Sequence, residues 1–175
     1  YADDLQAALG VIARPCSILA HSMGGLIALW SMRLSLHPEV KAVVLSNPLL
    51  GLYKQPALAK VMVGRAVSRF LPWVRVSNEV EPRKLSRDQS IVNAYMADPM
   101  VYNTVTTRWA QQMLEAQQTV FAAAESNHRP LLLLIGEQDQ ICSPASAEEY
   151  FVNYSGPKKL ERFPDCYHEL LNEPE

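Results

Sequence analysis

Hydrophobic and polar residues follow two alternating patterns in the first third of the chain. Residues 1–12 carry apolar side chains at helical spacing, and residues 16–20 form a short apolar run typical of a buried strand. An amphipathic segment from 23 to about 36 predicts a helix, and the apolar residues 40–45 predict a second strand. A strand, a helix and another strand in succession predict a parallel sheet with right-handed crossovers.

The segment 49–128 has a different pattern and is predicted to be an all-helical insertion. Apolar residues at helical spacing predict helices over 58–70 and 105–120. Between them, Ser86 and Gln89 match a capping box, which predicts a helix that begins at Ser86. We expect the insertion to lie as a cap across the sheet edge formed by the carboxyl ends of the strands.

The sheet resumes at residues 131–135, the most apolar strand of the chain. Ser143 and Pro144 have the chemistry of a helix N-cap and a first helical position, so a helix is predicted from there to about residue 154. Residues 159–163 are predicted to form the last strand. These elements complete the alternation of strands and helices that defines an α/β fold.

The predicted architecture is therefore α/β, with a parallel sheet of about four strands and an inserted helical cap. The core is assigned to 1–48 and 129–175, and the cap to 49–128. The chain has 175 residues, of which 49% are hydrophobic and 19% charged, which is the composition of a globular protein with a sizeable core.

Charge and cysteine content exclude several classes of function. The formal net charge is −2, so no global basic field attracts nucleic acid. The three cysteines are odd in number and form no Cys-x-x-Cys pair, so neither a disulfide framework nor a metal site is expected, and the compartment is expected to be reducing. No apolar run approaches the ~18 residues of a membrane span. We expect a cytoplasmic protein or one peripheral to a membrane.

The stretch Ala20-His21-Ser22-Met23-Gly24-Gly25 lies between the first strand and the helix after it. A serine on such a sharp turn is exposed at the end of the sheet, where Ser22 can act as a nucleophile and the backbone N–H of Met23 can bind an oxyanion. Ala20 departs from the usual Gly-x-Ser-x-Gly pattern by one methyl group. The alternative is a structural turn in which Ser22 only caps the helix.

Asp139 and His168 follow two later strands of the predicted sheet. Because the carboxyl ends of parallel strands meet at one edge, Ser22, Asp139 and His168 are expected to come together as a Ser-His-Asp triad, in the chain order of an α/β-hydrolase. His168 would be the base and Asp139 would orient it. Asp165 is the alternative acid, and His21 is expected to pack beside the site rather than act as the base.

Three motifs extend the serine turn into a family resemblance: residues 43–50 around Ser46-Asn47-Pro48, residues 134–139, and Tyr167-His168-Glu169-Leu170. With them, the sequence resembles the monoacylglycerol lipase and lysophospholipase group of α/β-hydrolases. The resemblance implies catalysis by Ser22, Asp139 and His168, an oxyanion contact from the Met23 N–H, a cap over an acyl-chain pocket, and no cofactor or metal.

The same resemblance implies that the N-terminal third of the family, with the His-Gly loop that completes the oxyanion hole, is missing. We therefore expect an internal fragment with little activity of its own. The expected substrate of the whole enzyme is the carboxylic ester of a single-chain lipid, cleaved through an acyl-enzyme. The alternatives are an esterase or peptidase for small soluble substrates and a non-catalytic binding domain.

The insertion has a basic charge balance, with nine Lys or Arg against six Asp or Glu over residues 49–128. Basic residues beside an apolar helix face could rest on an anionic lipid surface, so peripheral membrane contact through the cap is a further expectation. The alternative is a helix that only packs its apolar face over the pocket.

Overall fold

The computed structural model describes residues 1–12, 14–35 and 37–174. The elements, in chain order, are α1 (Ala2–Gly10), β1 (Cys16–His21), α2 (Met23–Ser35), β2 (Val40–Ser46), α3 (Leu58–Phe70), β3 (Arg75–Ser77), α4 (Gln89–Ala97), β4 (Thr104–Thr106), α5 (Thr107–Ala122), β5 (Leu131–Gly136), α6 (Pro144–Asn153) and β6 (Lys158–Phe163). The predicted end of α2 at Leu36 and the predicted core limit at Glu175 lie outside the described residues. No helix within these ranges has the length and apolar character needed to cross a bilayer.

Within the described residues, four strands form one parallel sheet in the spatial order β1, β2, β5, β6. The predicted α/β architecture with its parallel sheet is confirmed, and each strand extends the predicted range by one residue. The two central strands, β2 and β5, are the most apolar, because helices cover both faces of a parallel sheet. Leu45 and Leu133 are directly paired in these strands and are fully buried.

The insertion contains the helices α3, α4 and α5, but it is not all-helical. β3 and β4 pair antiparallel within it, with Val76 opposite Val105. The prediction was wrong here because strands of three residues are too short to show an alternating pattern. Thr106, at the end of β4, accepts a hydrogen bond from the Trp109 N–H at 3.2 Å and so caps α5.

The start of α4 also differs from the prediction. Asp88, not Ser86, is the N-cap, and its carboxylate accepts the Ser90 N–H at 2.7 Å. The Ser86 hydroxyl instead accepts the Asp88 N–H at 3.0 Å and donates to the carbonyl oxygen of Asn172 at 2.9 Å. The predicted cap of α6 is confirmed, since Ser143 accepts the Ser146 N–H and Pro144 follows it.

α2 begins directly after β1 and passes very close to the loop after β2. A Cβ atom at Gly25 would lie 2.7 Å from Cβ and 3.1 Å from Cα of Pro48, closer than real Cβ contacts. A Cβ atom at Gly24 would find its nearest neighbour at 3.9 Å, an ordinary contact. The glycine needed for close packing is therefore Gly25.

Gly25→Ala is expected to lower the free energy of unfolding by about 1–3 kcal/mol, the usual cost of overpacking a core site. Gly24→Ala is the matched control and should keep or raise stability, because alanine is the better helix former. Urea denaturation followed by circular dichroism checks both variants. Equal stability of the two variants would contradict the close approach of α2 to Pro48.

Candidate active site

The carboxyl ends of β1, β2, β5 and β6 lie along one edge of the sheet, and the segment that follows each strand contributes to one site. Ser22 follows β1, Asn47 follows β2, Asp139 follows β5, and His168 follows β6. The register explains this convergence, since His21 pairs with Ser46 and Gly136 pairs with Phe163 at the strand ends. Residues far apart in the sequence are thereby brought together.

Ser22 has a left-handed backbone conformation, with φ of 52°. Such a conformation is unfavourable for a residue with a Cβ atom, and four backbone hydrogen bonds hold it. The Ser22 N–H donates to the Ser46 carbonyl oxygen at 3.0 Å. The Ser22 carbonyl oxygen accepts from the N–H groups of Gly25 at 3.0 Å, Leu26 at 3.4 Å and Leu49 at 2.9 Å. This is the geometry of a strand-to-helix turn that presents a serine hydroxyl.

Ala20 leaves ordinary room on the side of Gly24. Its Cβ atom would lie 3.9 Å from a Cβ atom added at Gly24, so even two methyl groups at these positions make an ordinary contact. The departure from the Gly-x-Ser-x-Gly pattern therefore causes no steric conflict between the two pattern positions.

His168 contacts both other members of the predicted triad. Its Nδ1 lies 2.7 Å from Oδ2 of Asp139, and its Nε2 lies 2.9 Å from Oγ of Ser22. Since a carboxylate can only accept, Nδ1 carries the proton and Nε2 is free to accept the hydroxyl proton of Ser22. His168 is 3% exposed and Asp139 is 1% exposed, so their interaction is shielded from water.

Asp139, not Asp165, makes the contact with His168. The other carboxylate oxygen of Asp139, Oδ1, accepts the N–H groups of Ile141 at 2.7 Å and Cys142 at 3.0 Å, which fixes the carboxyl group in its loop. Asp165 is exposed on the turn after β6. The arrangement can transfer a proton from Ser22 to His168 and stabilise the resulting imidazolium.

Asn47 is a site residue that the sequence analysis did not identify. Its amide is buried, donates to the carbonyl oxygens of Tyr167 at 3.0 Å and His168 at 2.7 Å, and accepts the Gly136 N–H at 2.8 Å. A Cβ atom at Gly136 would collide with the carbonyl oxygen of Tyr167, so the loops meet very closely. The available signal was an Asn directly after a buried strand, which is equally typical of a simple turn.

The buried thiol of Cys142 lies next to the Ser22 hydroxyl. Its Sγ is 3.9 Å from Oγ of Ser22, the residue is 1% exposed, and burial raises the pKa of the thiol, with the nearby Asp139 charge adding to the effect. Donor atoms of Asp139, Cys142 and His168 lie within 4.8 Å of one another. The hydrogen bonds from His168 and from the Cys142 N–H to Asp139 account for this proximity, and we assign no metal to the cluster.

An apolar cavity of about 650 Å³ extends from Ser22 and Met23 to the underside of the insertion. Its apolar lining includes Leu49, Val61, Val67, Met113, Leu114 and Ile141. Met23 is the first residue of α2, so its N–H is one of the helix-start amides without an intrahelical partner. The cavity is in the usual size range of ligand pockets, about 300–1,000 Å³.

The parallel sheet, the strand-to-helix serine turn and the inserted helices define an α/β-hydrolase. The family profile described as "Hydrolase_4: Serine aminopeptidase, S33" matches residues 1–175. The chain belongs to this family.

Individual relatives agree with the resemblance to lipases. The chain is 29% identical over 185 residues to a monoacylglycerol lipase of Mycolicibacterium smegmatis, and 25% identical over 163 residues to the phospholipase YtpA of Bacillus subtilis. These alignments cover 100% and 92% of the chain but 64% and 63% of the two relatives.

Solved structures give the same result. The monoacylglycerol lipase of Paleococcus ferrophilus superposes with a TM-score of 0.87 at 27% identity, over 99% of this chain and 66% of that one. A monoglyceride lipase of Saccharomyces cerevisiae, solved with a substrate analogue, has a TM-score of 0.81 at 20% identity, over 99% of this chain and 61% of that one, and supports the fold. The chain thus spans less than two thirds of the length of these relatives.

Proposed function

We propose that this chain carries the catalytic triad and cap of a serine hydrolase that cleaves carboxylic esters of single-chain lipids, either monoacylglycerols or lysophospholipids. The observation that carries the proposal is the hydrogen-bonded series Ser22, His168 and Asp139 at the base of an apolar cavity. The bacterial relatives, named as a monoacylglycerol lipase and a phospholipase, support this class of substrate.

The proposed reaction proceeds through an acyl-enzyme. Ser22 attacks the ester carbonyl carbon while Nε2 of His168 takes its proton, and Asp139 stabilises the imidazolium. The Met23 N–H is proposed as one donor to the oxyanion. His168 then protonates the leaving alcohol, and a water molecule activated by the same histidine releases the fatty acid.

Ser22→Ala is expected to abolish ester hydrolysis and labelling by a fluorophosphonate probe, tested in the protein expressed in its natural sequence context. Ser126→Ala, at an exposed serine, is the matched control and should label normally. If the Ser22→Ala variant is still labelled by the probe, Ser22 is not the nucleophile.

Asp139→Asn should lower kcat by roughly 10⁴-fold, whereas Asp165→Asn should not. If kcat falls strongly in Asp165→Asn but not in Asp139→Asn, Asp139 is not the acid of the triad.

We further propose that residues 49–128 form the cap and that the cavity beneath α3 and α5 receives the acyl chain. The inner face of α3 contributes Val61 and Val67 to the cavity, and α5 contributes Met113. The carbonyl oxygen of Leu49, near the start of the insertion, accepts from the buried Gln117 side chain at 3.0 Å, which ties α5 to the edge of the sheet.

Acyl-chain length provides the test of this cavity. A series of p-nitrophenyl esters should show kcat/KM rising roughly fourfold per methylene group, since each buried CH₂ contributes about 0.8 kcal/mol, until the cavity is full. Val67→Trp should shorten the preferred chain, whereas Met62→Trp, on the exposed side of the same helix, should not. A preference for acetyl esters would favour an esterase for small soluble substrates.

The outer face of α3 supports contact with a lipid surface. Leu58 is 75% exposed and Met62 is 66% exposed, and Arg65 and Arg69 continue the same stripe along the helix. Just beyond the helix, Trp73 is 67% exposed. Exposed apolar and basic side chains in one stripe suit an anionic bilayer surface, and we propose peripheral membrane contact there.

Sedimentation with phosphatidylglycerol vesicles tests this contact. The double variant Leu58→Ser and Met62→Ser should weaken binding at least tenfold, while Val152→Ser, at an equally exposed valine of α6, should not. Arg65→Gln should weaken binding about fivefold, because a basic side chain near such a surface contributes about 1 kcal/mol. If all variants bind the vesicles as well as the wild type, the proposed membrane contact of α3 is wrong.

A further inference from the structure

A second pair of ionisable side chains lies directly beside the triad. His21 precedes Ser22 in the chain, and Glu169 follows His168. Nε2 of His21 lies 3.6 Å from Oε1 of Glu169, and the rings of His21 and His168 are 4.7 Å apart between centroids, tilted by 53°. The mechanism proposed above uses neither of these residues.

Both ring nitrogens of His21 face acceptors. Nδ1 lies 3.0 Å from the carbonyl oxygen of Ser46, which can only accept, so Nδ1 carries a proton. Nε2 is buried, has no hydrogen-bond partner within 3.5 Å among the described residues, and faces the Glu169 carboxylate. A neutral imidazole would point its lone pair at a negative oxygen. Donation from Nδ1 to the Ser46 carbonyl oxygen and the approach of Nε2 to the Glu169 carboxylate together suit an ion pair.

Glu169 is held in place from several sides. Its N–H donates to the carbonyl oxygen of Leu85 at 2.7 Å, and Oε2 accepts from the Asn172 amide at 2.9 Å. The interaction with His21 lowers the pKa of the Glu169 carboxyl against the opposing effect of burial, with smaller contributions from Asn172 and His168. The carboxylate is thus ionised and fixed beside the two histidines.

The Glu169 carboxylate, without a positive charge beside it, would hinder His168 as the proposed base. His168 must be neutral when it accepts the Ser22 proton, and a nearby negative charge favours its protonated form. A positive charge on His21 would balance that charge, and its ring lies against that of His168.

We propose, building on the proposed function, that His21 and Glu169 form an ion pair that positions His168 and keeps it neutral in the resting enzyme. Besides His168 and the Asn172 amide, the groups that face the pair among the described residues are Tyr95 of α4 and the hydroxyl of Ser46. The phenol of Tyr95 has its pKa raised by burial and by Glu169, and the Ser46 hydroxyl lies 3.3 Å from Nδ1 of His21. Neither of these two hydroxyl groups brings a further charge to the pair near neutral pH. His21 and Glu169 are therefore positioning residues, which act through His168.

The pH profile of kcat/KM for a monoacylglycerol, with the fatty acid quantified by chromatography, tests the pair in the protein in its natural sequence context. His21→Gln leaves Glu169 unbalanced, so the acid limb should move to higher pH by about half to one unit, the low end of the effect of a neighbouring charge because both side chains are partly exposed. In Glu169→Gln the acid limb of the kcat/KM profile should stay in place or move to lower pH. In the double variant His21→Gln and Glu169→Gln, the acid limb should lie close to that of the wild type.

Two matched controls isolate the effect from general changes. His128→Gln and Glu125→Gln alter exposed residues that lie outside the segments after the sheet strands, and both should keep the wild-type profile. His21→Phe retains an aromatic ring but no charge, and should shift the limb as His21→Gln does. If the acid limb of the double variant shifts as far as that of His21→Gln, the shift comes from the loss of the His21 side chain and not from the unbalanced charge of Glu169. In that case the ion-pair role is wrong.

A measurement that needs no ester hydrolysis separates this inference from the proposed function. The chain has four histidines, so NMR titration of the histidine ring protons, assigned from the His variants, follows the protonation of His168 directly. The midpoint for His168 should rise in His21→Gln even if no ester is hydrolysed. A midpoint unchanged in His21→Gln would overturn the proposal, while a shifted midpoint in a protein without esterase activity would overturn only the proposed function.

Discussion

The buried amide of Asn47 is the interaction on which the geometry of the site depends. It bonds to the end of β5 through Gly136 and to the histidine loop through two carbonyl oxygens, and it is 3% exposed. Each of these backbone groups would cost about 1–3 kcal/mol if left buried without a partner. An asparagine amide offers both donors and an acceptor, and asparagine tolerates the left-handed backbone, φ 40°, found here. One side chain thereby fixes the position of His168 relative to the sheet.

The preceding residue, Ser46, holds the turn that contains Ser22 in a corresponding way. Its carbonyl oxygen accepts the N–H of Ser22 and the Nδ1 proton of His21. The short segment after β2 therefore holds the serine on one side and the histidine loop on the other. This coupling depends on the pairing of β1 with β2, because a slip of one residue would turn His21 and Ser46 to opposite faces of the sheet. Strand register is thus part of the geometry of the candidate site.

The sequence predicted the sheet and the candidate triad well, because both depend on strong local patterns. Apolar runs located the four strands, and the rule that parallel strands share one carboxyl edge was enough to predict that Ser22, Asp139 and His168 lie together. The sequence did not predict Asn47, because its role depends on loops about 90 and 120 residues away in the chain. It also misplaced the cap of α4, where Ser86 bonds to the carbonyl oxygen of Asn172 at the far end of the chain. Such tertiary contacts leave no periodic signal.

Helix α3 illustrates a different limit of sequence patterns. Its apolar residues predict a helix correctly, but they lie on two sides, with Val61 and Val67 toward the cavity and Leu58 and Met62 toward solvent. A surface helix ordinarily needs only one apolar stripe, and none of the residues of α3 is buried. The second stripe therefore contributes little to the packing of the described residues, and it is the stripe proposed above to touch a lipid surface. If that proposal holds, the helix that lines the cavity also touches the phase in which a lipid ester resides, and the substrate can reach Ser22 without crossing water.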